Sequence, residues 1–234
     1  MKTFKPLLFA AVIISGIVSC GKSNSTSVTG NWLNRADYNG VARSEAVSFV
    51  INDTAYVGTG YDGNNRLGDI WAYDAGGNFW TQKANFGGSP RSSAVAFEAA
   101  GKGYITTGYD GLNSLNDTWA YDPSSNTWAQ KANFAGTPRY DAVGFGILDK
   151  GYVGTGFDGN YLKDFYEYDP TSDSWTINNG FGGSKRQQAV AFVYKNKAYI
   201  ATGVNNGTYE NDCWSFDPSN GSWTQLRSTA NVST

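Results

Sequence analysis

The side chains best equipped for chemistry in this chain come in repeated sets. Asp62, Asp110 and Asp158 each lie in a glycine-bounded run, Gly60-Tyr61-Asp62-Gly63, Gly108-Tyr109-Asp110-Gly111 and Gly156-Phe157-Asp158-Gly159, with a looser echo at Gly203-Val204-Asn205-Asn206-Gly207. Arg43, Arg91, Arg139 and Arg186 recur at nearly the same interval. Paired carboxylates can serve as acid and base in glycoside hydrolysis. A ring of arginines and carboxylates can hold an anionic glycan or peptide. The repetition also supports a plainer role. A residue present in every copy does what every copy needs, so an Arg–Asp or Arg–carbonyl contact between neighbouring copies explains the pattern without a ligand. Residues that break the repeat are the better binding candidates. Tyr140 and Asp141 stand where the previous copy has Ser92 and Ser93 and the next has Gln187 and Gln188. Arg66, Tyr161, Lys163, Tyr209 and Glu210 vary within the loops. Tyr and Arg are frequent interface anchors.

Several chemistries are excluded. The chain has no histidine, which removes the commonest general base and metal ligand. There is no Ser-His-Asp set, no Cys-His pair and no zinc cluster. No Gly-rich loop joins a strand to a helix, so a phosphate cradle is unsupported. No copy reads Asp-x-Gly-x-Thr-Trp, the sialidase box. The Asp-Gly loops offer oxygen ligands for calcium, but their spacing is not that of an EF-hand and Asp-Gly is an ordinary hairpin turn. Neither a metal nor another cofactor is expected. With 18 basic and 20 acidic residues and no basic run, nucleic acid is not expected as a partner.

The elements that position these residues follow from a second regularity. Trp80, Trp128, Trp175 and Trp223 are separated by 48, 47 and 48 residues, the mark of one supersecondary unit in tandem. Each copy parses into four strands. The first is Ala46–Ile51 and its equivalents, a short apolar run suited to burial on both sides. The second is Ala55–Gly60, whose glycines leave room for large neighbours. The third carries alternating aromatics, as in Trp71-Ala72-Tyr73-Asp74. Asp122-Pro123, Asp169-Pro170 and Asp217-Pro218 begin turns, and the fourth strand bears the spaced Trp. Aromatics at 15% of the chain, 29 glycines and a single methionine fit short strands and tight turns. A lone meander leaves an apolar face bare, so the copies must stack.

These residues carry a family resemblance. A hydrophobic strand ending in glycine, an aromatic 13 residues on (Gly60 to Tyr73) and a Trp seven later (Tyr73 to Trp80) resemble the kelch motif over residues 43–226. The usual Gly-Gly pair is replaced by Gly-Thr-Gly or Thr-Thr-Gly. The resemblance implies an all-β fold, a kelch-type β-propeller of four four-stranded antiparallel blades. It is similar to the propeller of galactose oxidase without the copper site, because that site needs histidines. Trp32 lies 48 residues before Trp80, so Asn31-Trp32-Leu33-Asn34 reads as an orphan fourth strand. A closed four-blade ring, a larger propeller of which this is a part, and two chains completing one another are the three ways to satisfy it.

The N-terminus reads as an address. Lys2 and Lys5 precede the apolar run Leu7–Val18, too short for a bilayer span but suited to a secretory signal. Ile17-Val18-Ser19-Cys20-Gly21 resembles the bacterial lipobox, which implies cleavage before Cys20 and its lipidation. Residues 1–19 are then signal peptide, 20–29 the lipid-bearing cysteine and a polar tether, and 30–234 the propeller, with repeats near 43–90, 91–138, 139–185 and 186–226. Loss of Lys2 and Lys5 leaves 16 basic against 20 acidic residues, a net charge of −4. Of the two cysteines only Cys213 remains, aligned with Ile70, Thr118 and Phe165 and read as a small buried hydrophobe. The function expected is a lipid-anchored cell-envelope module, on the periplasmic or surface side, that presents a rigid face to a protein or glycan. Arg43, Arg91, Arg139, Arg186, Tyr140, Asp141, Tyr161 and Tyr209 are the candidate binding residues. The alternative is a carbohydrate-active enzyme, hydrolase or epimerase, using loop carboxylates and arginines. Replacing Cys20→Ser is expected to move the protein from the membrane to the soluble fraction. Unchanged retention after carbonate washing would refute the anchor.

Overall fold

The computed structural model describes residues 33–226. Every extended element is a β-strand, and no helix occurs among the described residues. Four antiparallel four-stranded sheets follow one another in chain order. Blade 1 comprises β1 (Val47–Ile51), β2 (Thr54–Gly58), β3 (Ile70–Asp74) and β4 (Phe79–Lys83). Blade 2 comprises β5 (Val95–Ala99), β6 (Lys102–Thr106), β7 (Thr118–Asp122) and β8 (Thr127–Lys131). Blade 3 comprises β9 (Val143–Ile147), β10 (Lys150–Gly154), β11 (Phe165–Asp169) and β12 (Ser174–Asn178). In blade 4, β13 (Val190–Tyr194) and β14 (Lys197–Ala201) precede a small hairpin of β15 (Val204–Asn205) and β16 (Thr208–Tyr209). The blade then ends with β17 (Cys213–Asp217) and β18 (Ser222–Gln225).

Local chemistry sets these boundaries. The β1–β2 hairpin turns on Asn52 and Asp53, both in the left-handed region at φ 46° and 62°, where short polar side chains are tolerated and the twist of the strands is matched. The second strand stops two residues earlier than expected. Thr59, Thr107, Thr155 and Thr202 all turn to positive φ, between 53° and 63°, just before the loop. At the third-to-fourth-strand turn, Asn78 (φ 55°) accepts hydrogen bonds from the Tyr73 hydroxyl and the Ala36 amide, both at 2.8 Å. Asn126 does the same for Tyr121 and Ala84, and Asp173 for Tyr168 and Ala132.

The four spaced tryptophans occupy equivalent settings. Trp80 packs on Tyr73 and Tyr38, Trp128 on Tyr121 and Phe86, Trp175 on Tyr168 and Phe134, and Trp223 on Phe216 and Phe181. Tyr38 thus fills the linker position before blade 1 that Phe86 fills before blade 2. Of the expected orphan strand, Trp32 lies outside the described residues, and Leu33 and Asn34 belong to no strand.

Neighbouring blades mesh face to face. Phe49, Phe97 and Phe145, on the first strands, each stack on a tyrosine of their own second strand and face the following blade. The ring of Phe97 lies where a β-carbon on Gly151 would fall, 2.1 Å away, and Phe49 does the same to Gly103. The first strands alternate buried and accessible positions rather than being buried on both sides, since the intervening residues Ser48, Ala96 and Gly144 line a central channel. The alanines just before these strands, Ala46, Ala94, Ala142 and Ala189, line the same channel, shared by all four blades. Among the described residues no other blade covers the front face of blade 4: Phe192 is 52% exposed, against 6% or less for Phe49, Phe97 and Phe145. Gly151→Ala should push Phe97 out of its seat and lower stability by about 1–3 kcal/mol, read as a lower urea midpoint at unchanged m-value.

Candidate functional site

One end of the channel carries both the inter-blade linkers and the loops between second and third strands. The four repeated arginines lie beneath this surface. Arg91 Nη1 and Nη2 donate to Asp117 Oδ1 and Oδ2 at 2.7 and 2.8 Å, and Nη1 also donates to the Thr107 carbonyl at 2.9 Å. Its guanidinium lies over the Phe86 ring at 4.8 Å. Arg43 with Asp69, Arg139 with Asp164 and Arg186 with Asp212 repeat the arrangement. Arg91, Arg139 and Arg186 are 0% exposed. Their charge is met inside the protein and does not face a ligand. The partner is the aspartate just before the third strand, not Asp62, Asp110 or Asp158, and each pair lies within one blade rather than between two. Burial pushes the carboxyl of Asp117 up, but hydrogen bonds from Arg91, the Arg91 charge and the Trp119 indole hold it below the usual carboxylate range. The blades are joined here by backbone: the Gly60 amide donates to the Arg91 carbonyl at 2.7 Å, and Gly108 and Gly156 do likewise to Arg139 and Arg186.

The loop aspartates build turns. Asp62 Oδ1 accepts the amides of Asn64 and Asn65, both at 2.7 Å, which lowers its pKa. Asp110 takes the amides of Leu112 and Asn113. Asp158 takes that of Asn160, and also the Thr137 hydroxyl at 2.8 Å. Among the described residues no group of three acidic or cysteine side chains is gathered as metal ligands. Cys213 is half-buried, with its thiol pKa raised by burial and then by the Asp212 charge.

What the loops do present is aromatic. Arg66 lies over Tyr61 at 4.1 Å and over Tyr109 at 5.3 Å, and its Nε donates to Ser92 Oγ at 3.2 Å. Tyr109 meets Tyr140 at 5.6 Å, Tyr140 meets Phe157 at 5.7 Å, and Phe157 meets Tyr161 at 5.2 Å. These six side chains, all partly exposed, form one unbroken arc across blades 1 to 3. It contains three of the repeat-breaking residues, Arg66, Tyr140 and Tyr161. Tyr61, Tyr109 and Phe157 were legible only as repeat residues, although an aromatic held in three successive loops is itself a signal. Tyr209, 86% exposed on β16, stands outside the arc beside Gln188 and Glu210 in an open hollow of about 360 Å³.

Inside the arc, the channel mouth is a ring of unlike residues at one repeat position: Glu45, Ser93, Asp141 and Gln188. All four have φ between 53° and 56°. Each amide reaches back to the previous carbonyl, Ser93 to Glu45 at 3.0 Å, Asp141 to Ser93 at 3.1 Å and Gln188 to Asp141 at 3.0 Å. Side chains repeat the links: Ser93 Oγ donates to Glu45, and Gln188 Nε2 to Asp141, both at 3.1 Å. They surround a hollow of about 160 Å³. Asp141 is pushed up by burial and by the charge of Glu45, against hydrogen bonds from Ser93 and Gln188.

Residues 28–183 match the domain described as "KLHDC2/KLHL20/DRC7 Kelch-repeats domain", and residues 185–229 match the Kelch motif. A solved structure described as "Structure of YjhT" superposes with a TM-score of 0.70 at 20% sequence identity, over 82% of this chain and 67% of that chain. That likeness is one of fold. No curated protein matches the sequence.

The channel-mouth geometry carries a pH signature. Folding raises the Asp141 pKa, so the folded state holds that proton more tightly than the unfolded chain does. The ionised carboxylate therefore costs stability above its folded pKa, and the cost disappears below its unfolded value near 3.8. Asn accepts the same left-handed backbone. Asp141→Asn should raise the melting temperature at pH 7 and converge with the parent as the pH approaches 3. A variant equal or inferior at pH 7 would count against the buried-carboxylate reading.

Proposed function

Because this chain belongs to the kelch-repeat family, we propose that it is a binding module that engages a protein partner through the loop face around the channel mouth. The observation that carries this reading is the aromatic–guanidinium arc from Tyr61 to Tyr161. Stacked rings lose little conformational freedom on binding and offer both apolar faces and hydroxyls. Arg66, already stacked, is ordered before any partner arrives. A glycan is the second reading. It is favoured by the hollow where the exposed ring of Tyr209 stands beside the amide of Gln188 and the carboxylate of Glu210, since a sugar offers a ring face apolar groups and offers polar groups its hydroxyls. The enzyme alternative gains nothing from the geometry: the Oδ1 atoms of the loop aspartates are held by backbone amides, and the arginines are paired in the interior.

Lipidation at Cys20 would tether this face at the bacterial cell envelope, with residues 21–29 as a polar spacer. One acyl chain holds only marginally, and the lipobox resemblance implies more than one.

A photo-crosslinking residue at Tyr140 should yield a discrete adduct in cells, whereas the same residue at Asn52, on the opposite end of the channel, should not. Tyr140→Ala combined with Tyr161→Ala should weaken partner binding at least about tenfold, or 1.4 kcal/mol, with the fold's melting temperature nearly unchanged. Equal adducts at both positions, or unchanged affinity in the double variant, would refute the assignment of this face.

A further inference from the structure

The two end blades expose complementary halves of a contact that the chain makes three times internally. In each internal seam the front of one blade presents a valine, a phenylalanine, a third apolar side chain and a tyrosine: Val47, Phe49, Ile51 and Tyr56 in blade 1; Val95, Phe97, Ala99 and Tyr104 in blade 2; Val143, Phe145, Ile147 and Tyr152 in blade 3. All are buried by the next blade. Blade 4 repeats the set as Val190, Phe192, Tyr194 and Tyr199, with Phe192 and Tyr199 stacked at 5.1 Å as in the others. Here Val190, Phe192 and Tyr194 are 55%, 52% and 57% exposed.

The covering half is also specific. The rear of each following blade offers a small residue over the phenylalanine, then a branched aliphatic and a ring: Gly103, Ile105 and Tyr121; Gly151, Val153 and Tyr168; Ala198, Ile200 and Phe216. All nine of these are buried. Blade 1 has the same set as Ala55, Val57 and Tyr73, and there all three are accessible. Alanine at the small position is no obstacle, because Ala198 fills it against Phe145 in the third seam.

We propose that a second copy of this chain covers the blade 4 face with the rear of its first blade. The contact continues, across two chains, the seam already made within one. A lone strand cannot do this, since the face calls for a second and third strand with a small residue set over Phe192. Two copies related by a twofold would make the contact twice, and without closure the same contact would propagate head to tail.

The test is complementation, with the full chain in detergent and its mass read by light scattering after subtracting the micelle. The parent should run as a dimer or larger. Phe192→Asp removes only the front half and Ala55→Glu only the rear half; each variant alone should be a monomer with the parent's circular dichroism, and its melting temperature should no longer depend on protein concentration. Their mixture should regain a dimer, since the intact front of the Ala55→Glu chain meets the intact rear of the Phe192→Asp chain. A monomeric parent at micromolar concentration, association persisting in either single variant, or a mixture that stays monomeric would each overturn the proposal.

Discussion

The structure depends on one recurring fit, an aromatic ring seated where the next blade carries no more than a methyl group. Phe49 over Gly103, Phe97 over Gly151 and Phe145 over Ala198 are the same contact in three seams. Burying a phenylalanine contributes about 1.5–3 kcal/mol, and the neighbouring valines, isoleucines and tyrosines add to each seam. Four-stranded sheets this short hold little core of their own, so stacking supplies the cohesion that a larger domain draws from a single centre. The channel then follows from geometry. First strands lie innermost, and mostly small residues, Ala, Gly and Ser with a few Val, line the channel there.

The arginine–aspartate pairs do a different job. A linker must leave the outer strand of one blade and return to the inner strand of the next, crossing irregular backbone whose carbonyls need donors. The planar guanidinium supplies them, binding Asp117 with two nitrogens while reaching the carbonyls of Thr107 and Ser89. Burial of the ion is tolerable because its hydrogen-bonding capacity is nearly filled and the Phe86 ring lies against it. With the linker fixed, the next residues are carried to the channel mouth in the left-handed conformation shared by Glu45, Ser93, Asp141 and Gln188. The loop face is thus a rigid frame in which identical backbone displays different side chains, a suitable design for a binding surface.

The candidate site was only partly legible. Arg66, Tyr140, Asp141 and Tyr161 stood out because they depart from their repeat partners; Arg66, Tyr140 and Tyr161 join the aromatic arc, while Asp141 enters the channel-mouth ring. Tyr61, Tyr109 and Phe157 did not stand out, because a residue common to successive copies looks structural. They are structural as well, since the Tyr61 and Tyr109 hydroxyls brace their own loops through the Gly63 and Gly111 carbonyls. In sequence Arg43, Arg91, Arg139 and Arg186 admit two readings, a ring of charge at the channel mouth and a repeated structural contact with aspartate or carbonyl, and their depth favours the second. Sequence spacing located them beside the loops, but nothing in one dimension distinguishes a guanidinium pointing outward from one folded under.

From the sequence alone came the repeat length, the four meanders, the turn chemistry and the equivalence of Trp80, Trp128, Trp175 and Trp223. Those are local properties, set by strand alternation and by spacing along one chain, and they survive without knowledge of neighbours. Tertiary structure alone decided which aspartate each arginine meets, which aromatics of separate blades touch, and that Val190, Phe192 and Tyr194 are exposed while their counterparts are buried. Those outcomes depend on the angle and sequence of blade stacking. Four nearly identical units carry no local mark of which one has a neighbour on each side.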